Sequence, residues 1–306
     1  MLKPHVPFLP MEPILHQEAF DDPDYGFQIK WDGVRILAHL KDGRAQLYNR
    51  KKNNRTAQYP EVVLKLPDIF KNDTILDGEV VALKSGKPSF SELIRRDFAT
   101  AIGTIKFLIQ KIPITYVVFD ILYYNGKELT AQPFRLRDEL LKTLIPSKDP
   151  IVTTDTFPQK GTALFSVVKQ AGLEGIVAKK LSSPYQVGKK SPDWLKVKNR
   201  RNMAAFIGGY LADGREVRSL FLGVFQDKDF LYIGRAGSGL NRELAMSLFY
   251  TLQESEIPLC PFINSPAIGK REVINWVNPR LEVMIEYMDF TDAGFVRHPV
   301  IKQVIS

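Results

Sequence analysis

Lys30-Trp31-Asp32-Gly33-Val34-Arg35 is the stretch that decides how this chain is read. It lies between two β-favouring runs, Phe27–Ile29 and Val34–Leu40, so the lysine closes one strand and Asp-Gly turns the chain into the next. A lysine in that place faces back into whatever groove the sheets enclose. Its amine can act as a nucleophile when desolvation or nearby positive charge lowers its pKa. Taken alone, the same spacing also suits a polar hairpin with a surface lysine.

Working outward, the first 200 residues read as strands with a few helices between them. Ala45–Tyr48 is joined to Val34–Leu40 by Lys41-Asp42-Gly43-Arg44, a hairpin signal. Thr74–Leu76 and Val80–Leu83 read as two strands with Asp77-Gly78-Glu79 between them. Ile114–Leu122 is predicted as a strand buried on both faces and turned by Asn125-Gly126. Arg135–Leu144, after Pro133, and Thr162–Ala171, closed by Gly172, carry apolar residues at helical spacing. Gly175–Lys179 and Trp194–Val197 are short strands. After about Asn202 the character changes. Ala204–Leu211, Ser219–Phe225 and Leu231–Gly234 form a meander, Glu243–Gln253 a helix and Leu281–Phe290 a long strand. Strands curling around one helix fit a small barrel of the OB type. The expected fold is α+β in two domains: residues 1–201 as antiparallel sheets with flanking helices, and residues 202–306 as an all-β barrel.

The chain has 306 residues and a formal charge of +8, unevenly placed. Residues 1–200 carry 31 basic against 22 acidic side chains, and residues 201–306 carry 11 against 12. The densest stretch runs from Lys179 to Arg201, where eight lysines and arginines face Asp193 alone. A basic band of this kind points to a polyanionic partner, nucleic acid or nucleotide phosphate, unless it is simply a solvated surface. The single cysteine, Cys260, excludes an intramolecular disulfide framework and a zinc site of paired cysteines. The four histidines, His5, His16, His39 and His298, make no metal-ligand spacing. No apolar run has the length of a signal peptide or a membrane span, so a soluble cytoplasmic protein is expected. Gly234-Arg235-Ala236-Gly237-Ser238-Gly239 is glycine-rich but lacks the P-loop pattern and is read as a barrel turn. Met284, Tyr287 and Met288 are expected in the barrel core, and Trp31 and Trp276 are expected to be buried.

The lysine stretch is not isolated. Asp77-Gly78-Glu79 and Glu174-Gly175-Ile176-Val177-Ala178-Lys179 each set a glutamate beside a glycine at a strand. Trp194-Leu195-Lys196-Val197-Lys198 puts two lysines on one face, since alternate strand residues point the same way. Two carboxylates and several cations on strand ends are what a site for a nucleotide and magnesium requires: oxygen ligands for a hard cation and positive charge for phosphates.

In this order the motifs resemble the covalent nucleotidyltransferases, and within them the ATP-dependent DNA ligases, most closely the ligase module of bacterial non-homologous end joining. The resemblance runs through Lys30–Arg35, Tyr48-Asn49-Arg50 with Thr56 and Tyr59-Pro60, Asp77–Glu79, Val118-Phe119-Asp120-Ile121, Glu174–Lys179 and Trp194–Lys198. It ends at Val296-Arg297-His298-Pro299. It implies an adenylation domain followed by an OB domain. It also implies three steps: Lys30 takes AMP from ATP, AMP passes to the 5′-phosphate of a nick, and the 3′-hydroxyl displaces it. By this resemblance Lys30 is catalytic, and Gln28, Ile29, Arg35, Arg50, Glu79, Phe119, Lys179, Lys196, Lys198 and Arg297 bind the nucleotide. Phe119 would stack on adenine, Lys196 and Lys198 would hold the α-phosphate, and Arg35 and Arg50 would contact ribose or the incoming phosphate. Glu79 and Glu174 would hold Mg2+ or Mn2+. The implied partner is nicked double-stranded DNA, met near the nucleoid by a monomer in repair, recombination or replication. A Ku-type end-binding protein or a repair polymerase is a partner by analogy only.

Two departures stand out. Many relatives carry a glutamate two residues before the nucleophile to read the adenine amino group; here it is Gln28, whose amide oxygen can still accept that bond. The last motif usually continues into a basic–acidic tail that orients pyrophosphate, whereas this chain stops at Ser306. Either Arg297 and Lys302 take that role, or the first step is weak, or the chain is a fragment. The alternatives in view are an RNA ligase or a capping guanylyltransferase, and, from another class, a non-catalytic nucleic-acid-binding OB protein.

Overall fold

The computed structural model describes residues 1–84, 86–145, 150–269, 272–291 and 293–305. It divides into two units, Met1–Asn199 and Arg200–Ser306.

Two sheets make up the first unit. In one, the order is Arg44–Asn49, Val34–Lys41, Thr74–Lys84, Ile114–Tyr124 and Lys127–Glu128, with Ile151–Thr153 parallel to Ile114–Tyr124. In the other it is Glu12–Leu15, Lys190–Lys198, Gly175–Lys180, Tyr25–Ile29 and Phe157–Pro158. Alternation along Val34–Lys41 shows how the layers arise. Ile36, Ala38 and Leu40 pack under the helices Pro60–Ile69, Phe90–Asp97 and Ile102–Lys111, against Val62, Leu66, Leu93 and Ile105. Leu37, on the opposite face, joins Ile75, Leu122, Met11, Tyr185 and Trp194 in a core shared by the two sheets. The helix Gly161–Gln170 covers the far side of the second sheet through Leu164 and Val168.

Asp77-Gly78-Glu79 does not separate two strands. Thr74–Lys84 is one continuous strand, and the irregularity falls in its pairing with Ile114–Tyr124, where the register shifts between Asp77 and Gly78. Asp-Gly suits a turn in sequence, but here both residues stay in regular register with Val34–Lys41. The extra residue, Phe119, falls on the neighbouring strand, so Asp77 and Glu79 alternate onto one face.

The second unit begins with the meander Arg201–Asp213, Glu216–Gln226 and Asp229–Ala236, followed by the helix Arg242–Gln253. Glu282–Tyr287 pairs with the first half of Arg201–Asp213 and with Val300–Val304. A parallel bridge from Val300 to Ser238 returns the path to the end of the meander, so the barrel closes at the glycine-rich stretch. Gly239 shows why that stretch is glycine: at φ +93°, an added Cβ would lie 2.0 Å from Ile301 O. Leu248 and Leu252 of the helix plug the core beside Ile207, Leu222, Val283 and Ile285. Met284 departs from expectation. Val283, Ile285 and Tyr287 are the buried face of their strand, and Met284 alternates out of it. That strand also ends at Tyr287, short of Phe290. Outside the barrel, Phe262 stacks on Phe230 at 4.7 Å and packs with Trp276 at 6.0 Å, pinning a segment in which the sequence shows no periodicity.

Candidate active site

Lys30 follows directly on Tyr25–Ile29. Its N–H donates to Gly175 O at 2.9 Å, prolonging the ladder in which Ile29 faces Ile176 and Gln28 faces Val177. The next ladder sets Val177 against Lys196 and Gly175 against Lys198. Register alone therefore gathers Lys30, Glu174, Lys196 and Lys198 at one end of three strands. The Lys30 ammonium pairs with Glu174 Oε2, and Lys198 Nζ stands 3.9 Å from Glu174 Oε1. Gly175 makes this crowding possible. Its φ is +149°, and a Cβ would sit 2.1 Å from Val197 O.

The opposing wall comes from the other sheet. Arg35 pairs with Glu79 and Leu37 with Asp77 across the ladder. Arg35 grips Asp77 with both arms, Nε to Oδ1 at 2.9 Å and Nη2 to Oδ2 at 2.6 Å. Tyr185 donates its hydroxyl to Asp77 Oδ2 at 2.6 Å and accepts the Met11 N–H at 3.0 Å. Burial opposes the Arg35 charge, but Asp77 outweighs it and raises the guanidinium pKa. Arg35, expected at ribose or phosphate, is thus committed to Asp77, with Cζ 5.2 Å from the Phe119 ring centre. Burial pushes the Glu79 carboxyl up to about 8, against the pull of Lys30 and Arg35. Burial and then the Lys30 charge lower the Lys196 ammonium.

Between these walls lies a cleft of about 590 Å3. Of the residues predicted from sequence, Gln28, Ile29, Lys30, Arg35, Arg50, Glu79, Phe119, Glu174, Lys179 and Lys196 border it. Lys198 reaches it through Glu174. Arg297 lies in the second unit, where its backbone N–H donates to Asp289 O at 2.8 Å. Lys179 is only 2% exposed. Its Nζ donates to Phe119 O at 2.8 Å and sits 4.2 Å from the Trp194 ring centre, so its charge is held among the aromatics of the floor. Burial pulls it down to about 7, with Asp120 and Asp138 resisting.

Phe90, Ile94 and Phe98 form an apolar flank of the cleft that sequence reasoning missed. Their spacing of four residues is a helical signal that was there to be used. Asp97, on the same helix, binds Arg55 Nε at 3.1 Å and the Tyr59 hydroxyl at 2.8 Å, tying the Arg50–Arg55 loop to it. Nothing in the sequence marks Tyr185 or Asp97.

The donor set bears on magnesium. Among the described residues no three His, Cys, Asp or Glu side chains converge on one point. Glu79 and Glu174 nonetheless both border the cleft, and burial raises the Glu79 carboxyl pKa. One or two carboxylates completed by water and phosphate oxygens is how magnesium is held at nucleotide sites, so the residues fit.

Comparison with known proteins bears on the same residues. Residues 12–198 match the family described as ATP dependent DNA ligase domain, and residues 213–305 match the ATP dependent DNA ligase C terminal region. The chain is 31% identical over 283 residues to the multifunctional non-homologous end joining DNA repair protein LigD of Mycobacterium tuberculosis, covering 89% of this chain and 35% of that one. It is 35% identical over 203 residues to the SPbeta prophage-derived DNA ligase-like protein LigB of Bacillus subtilis, covering 64% and 70%. The crystal structure of the ligase domain of M. tuberculosis LigD superposes with a TM-score of 0.59 at 27% identity, covering 97% of this chain and 95% of that one. The chain therefore spans about a third of the length of the LigD proteins it matches.

Proposed function

The chain belongs to the ATP-dependent DNA ligases, and on that premise we propose that it seals nicks in duplex DNA with ATP, Lys30 carrying the AMP between the two substrates. The observation that carries this reading is the Lys30–Glu174 pair at the end of the lysine-bearing ladder, facing Glu79 across the cleft.

Each residue then has work that its surroundings suit. The Lys30 amine attacks the α-phosphorus of ATP, a nitrogen–phosphorus bond forms, and pyrophosphate leaves. Glu174, already bonded to Lys30 Nζ, is the acceptor in reach for the proton the ammonium must lose before it attacks. The second proton, freed as the nitrogen–phosphorus bond forms, leaves with pyrophosphate or to water. Lys196 and Lys198 meet the negative charge that grows on the α-phosphate oxygens, which phosphoryl transfer needs more than it needs acid–base groups. Phe119 gives the adenine a face to stack on, and Arg50, exposed at the rim, meets the DNA phosphate. A magnesium ion on Glu79 and Glu174 would supply neutralisation of the pyrophosphate leaving group. Arg297 enters on the family resemblance alone. The AMP then passes to the 5′-phosphate of the nick, and the 3′-hydroxyl displaces it.

Likeness to LigD extends the proposal to end joining, with a Ku-type end-binding protein and a repair polymerase as partners by analogy. No helix of the described residues is long and apolar enough to cross a membrane.

The test is sealing of a singly nicked duplex by wild type and by Lys30→Ala. Wild type should join the strands with ATP, while the variant should lose joining by at least about a thousandfold and keep duplex binding. Sealing by Lys30→Ala at the wild-type rate would remove Lys30 as nucleophile and end this reading.

A further inference from the structure

Gln28 stands two residues before the nucleophile, borders the cleft and is 2% exposed. A carboxamide in that place is ambiguous. Its oxygen suits the C6 amino group of adenine, while its NH2 group would suit the C6 carbonyl of guanine. The choice falls to the residues behind it.

Gln28 Nε2 lies 2.9 Å from Thr156 Oγ1. Thr156 Oγ1 lies 3.0 Å from Asp138 Oδ1, and Lys142 Nζ lies 2.6 Å from Asp138 Oδ2. Proton accounting along this row has one solution. Lys142 pairs with Asp138 as an ionised carboxylate, which can only accept. The one hydroxyl proton of Thr156 therefore goes to Asp138, and Thr156 Oγ1 must accept from Gln28. Only the NH2 group can donate to it. Turning the amide over would set two oxygens 2.9 Å apart with no proton between them. Gly26 lets Thr156 come this close, since a Cβ there would meet Thr156 Cγ2 at 2.5 Å.

We infer that Thr156 and Asp138 are positioning residues that set the purine choice: they hold the Gln28 amide with Oε1 offered to the cleft, selecting a 6-aminopurine nucleotide over a 6-oxopurine one. A glutamate at this position would need no such support, because both its oxygens accept. The inference rests on the ligase reading, which supplies the nucleotide.

The experiment measures transfer of labelled AMP or GMP from ATP or GTP to the protein and compares the two rates within each variant, so partial loss of active protein cancels. Wild type should prefer ATP. Thr156→Val frees the amide and should cut that preference about 10- to 100-fold. Asp138→Asn can donate to Thr156, which then sends its own proton to Gln28; the amide turns over, and the preference should move further toward GTP than in Thr156→Val. Combining Gln28→Glu with Thr156→Val should restore the ATP preference, since a carboxylate presents an acceptor in either orientation. A merely structural role would slow both nucleotides alike and would not be rescued. No AMP transfer by wild type would sink the ligase reading. AMP transfer by wild type, with unchanged ratios in Thr156→Val and Asp138→Asn, would overturn this inference and leave that reading standing.

Discussion

Lys30 was legible because its chemistry is written in residue types. A lysine before Asp-Gly, glutamates beside glycines and two alternate lysines are few enough, and ordered enough, to mark a phosphate site. The residues that hold Gln28 and Asp77 beside them were not legible. Thr156, Asp138 and Tyr185 are common polar residues whose roles exist only through their partners, and the Met11 N–H that Tyr185 accepts is 174 positions away in sequence. His39 makes the same point about stability. It is fully buried, its Nδ1 accepts the His5 N–H at 3.0 Å, and Nε2 has no hydrogen-bond partner among the described residues. Burial, with a smaller push from His5, lowers its pKa to about 3. The folded-state value lies below the unfolded one, so the unfolded chain binds the extra proton. Stability from the neutral ring is then fully present above about pH 6.5 and is lost as pH falls toward 3. Urea unfolding between about pH 6.5 and 4 should show a pH slope in the His39→Asn variant that is shallower than wild type by up to about 1.4 kcal/mol per pH unit. Equal slopes in the two proteins would exonerate His39.

Elements with clear periodicity came through with small boundary errors, such as Arg135–Leu144 against the observed Phe134–Leu144. Some that failed had a competing signal, whereas Phe90–Asp97 carried an apolar spacing of four that went unread. Pro60–Ile69 carries Pro60 at its start and Pro67 inside, and two prolines hide a helix whose Val62 and Leu66 are buried. Asp77-Gly78 has the composition of a turn and is continuous strand, the extra residue of the irregularity being Phe119 on its neighbour. The Phe119-Asp120 motif has a structural half that its chemistry conceals. Asp120 takes Arg137 Nε at 2.8 Å and Nη2 at 3.0 Å, both side chains wholly buried, and so ties the helix Phe134–Leu144 to the strand that presents Phe119. Removing one partner strands a buried charge. Asp120→Ala should therefore cost about 3–5 kcal/mol in denaturant unfolding, and Asp120→Leu combined with Arg137→Met should recover much of it. A loss under about 1 kcal/mol for Asp120→Ala would mean the pair is not what holds the helix.

At the scale of the whole chain, length and charge predicted two parts and a polyanionic partner, and the two units fall at Met1–Asn199 and Arg200–Ser306. The excess positive charge belongs to the part that carries the cleft. Composition could not show how a barrel without a repeat would close, because closure at Ser238 and Val300 joins distant stretches of chain with no shared pattern. Intact-mass spectrometry shows whether this molecule carries AMP on Lys30 from ATP to a DNA nick. After incubation with ATP and magnesium the protein should gain the mass of one AMP, located at Lys30 by peptide mapping, and adding nicked duplex should remove it as the strands join. Protein that gains no AMP from ATP, or that holds it on another residue while still sealing nicks, would rule Lys30 out as the carrier.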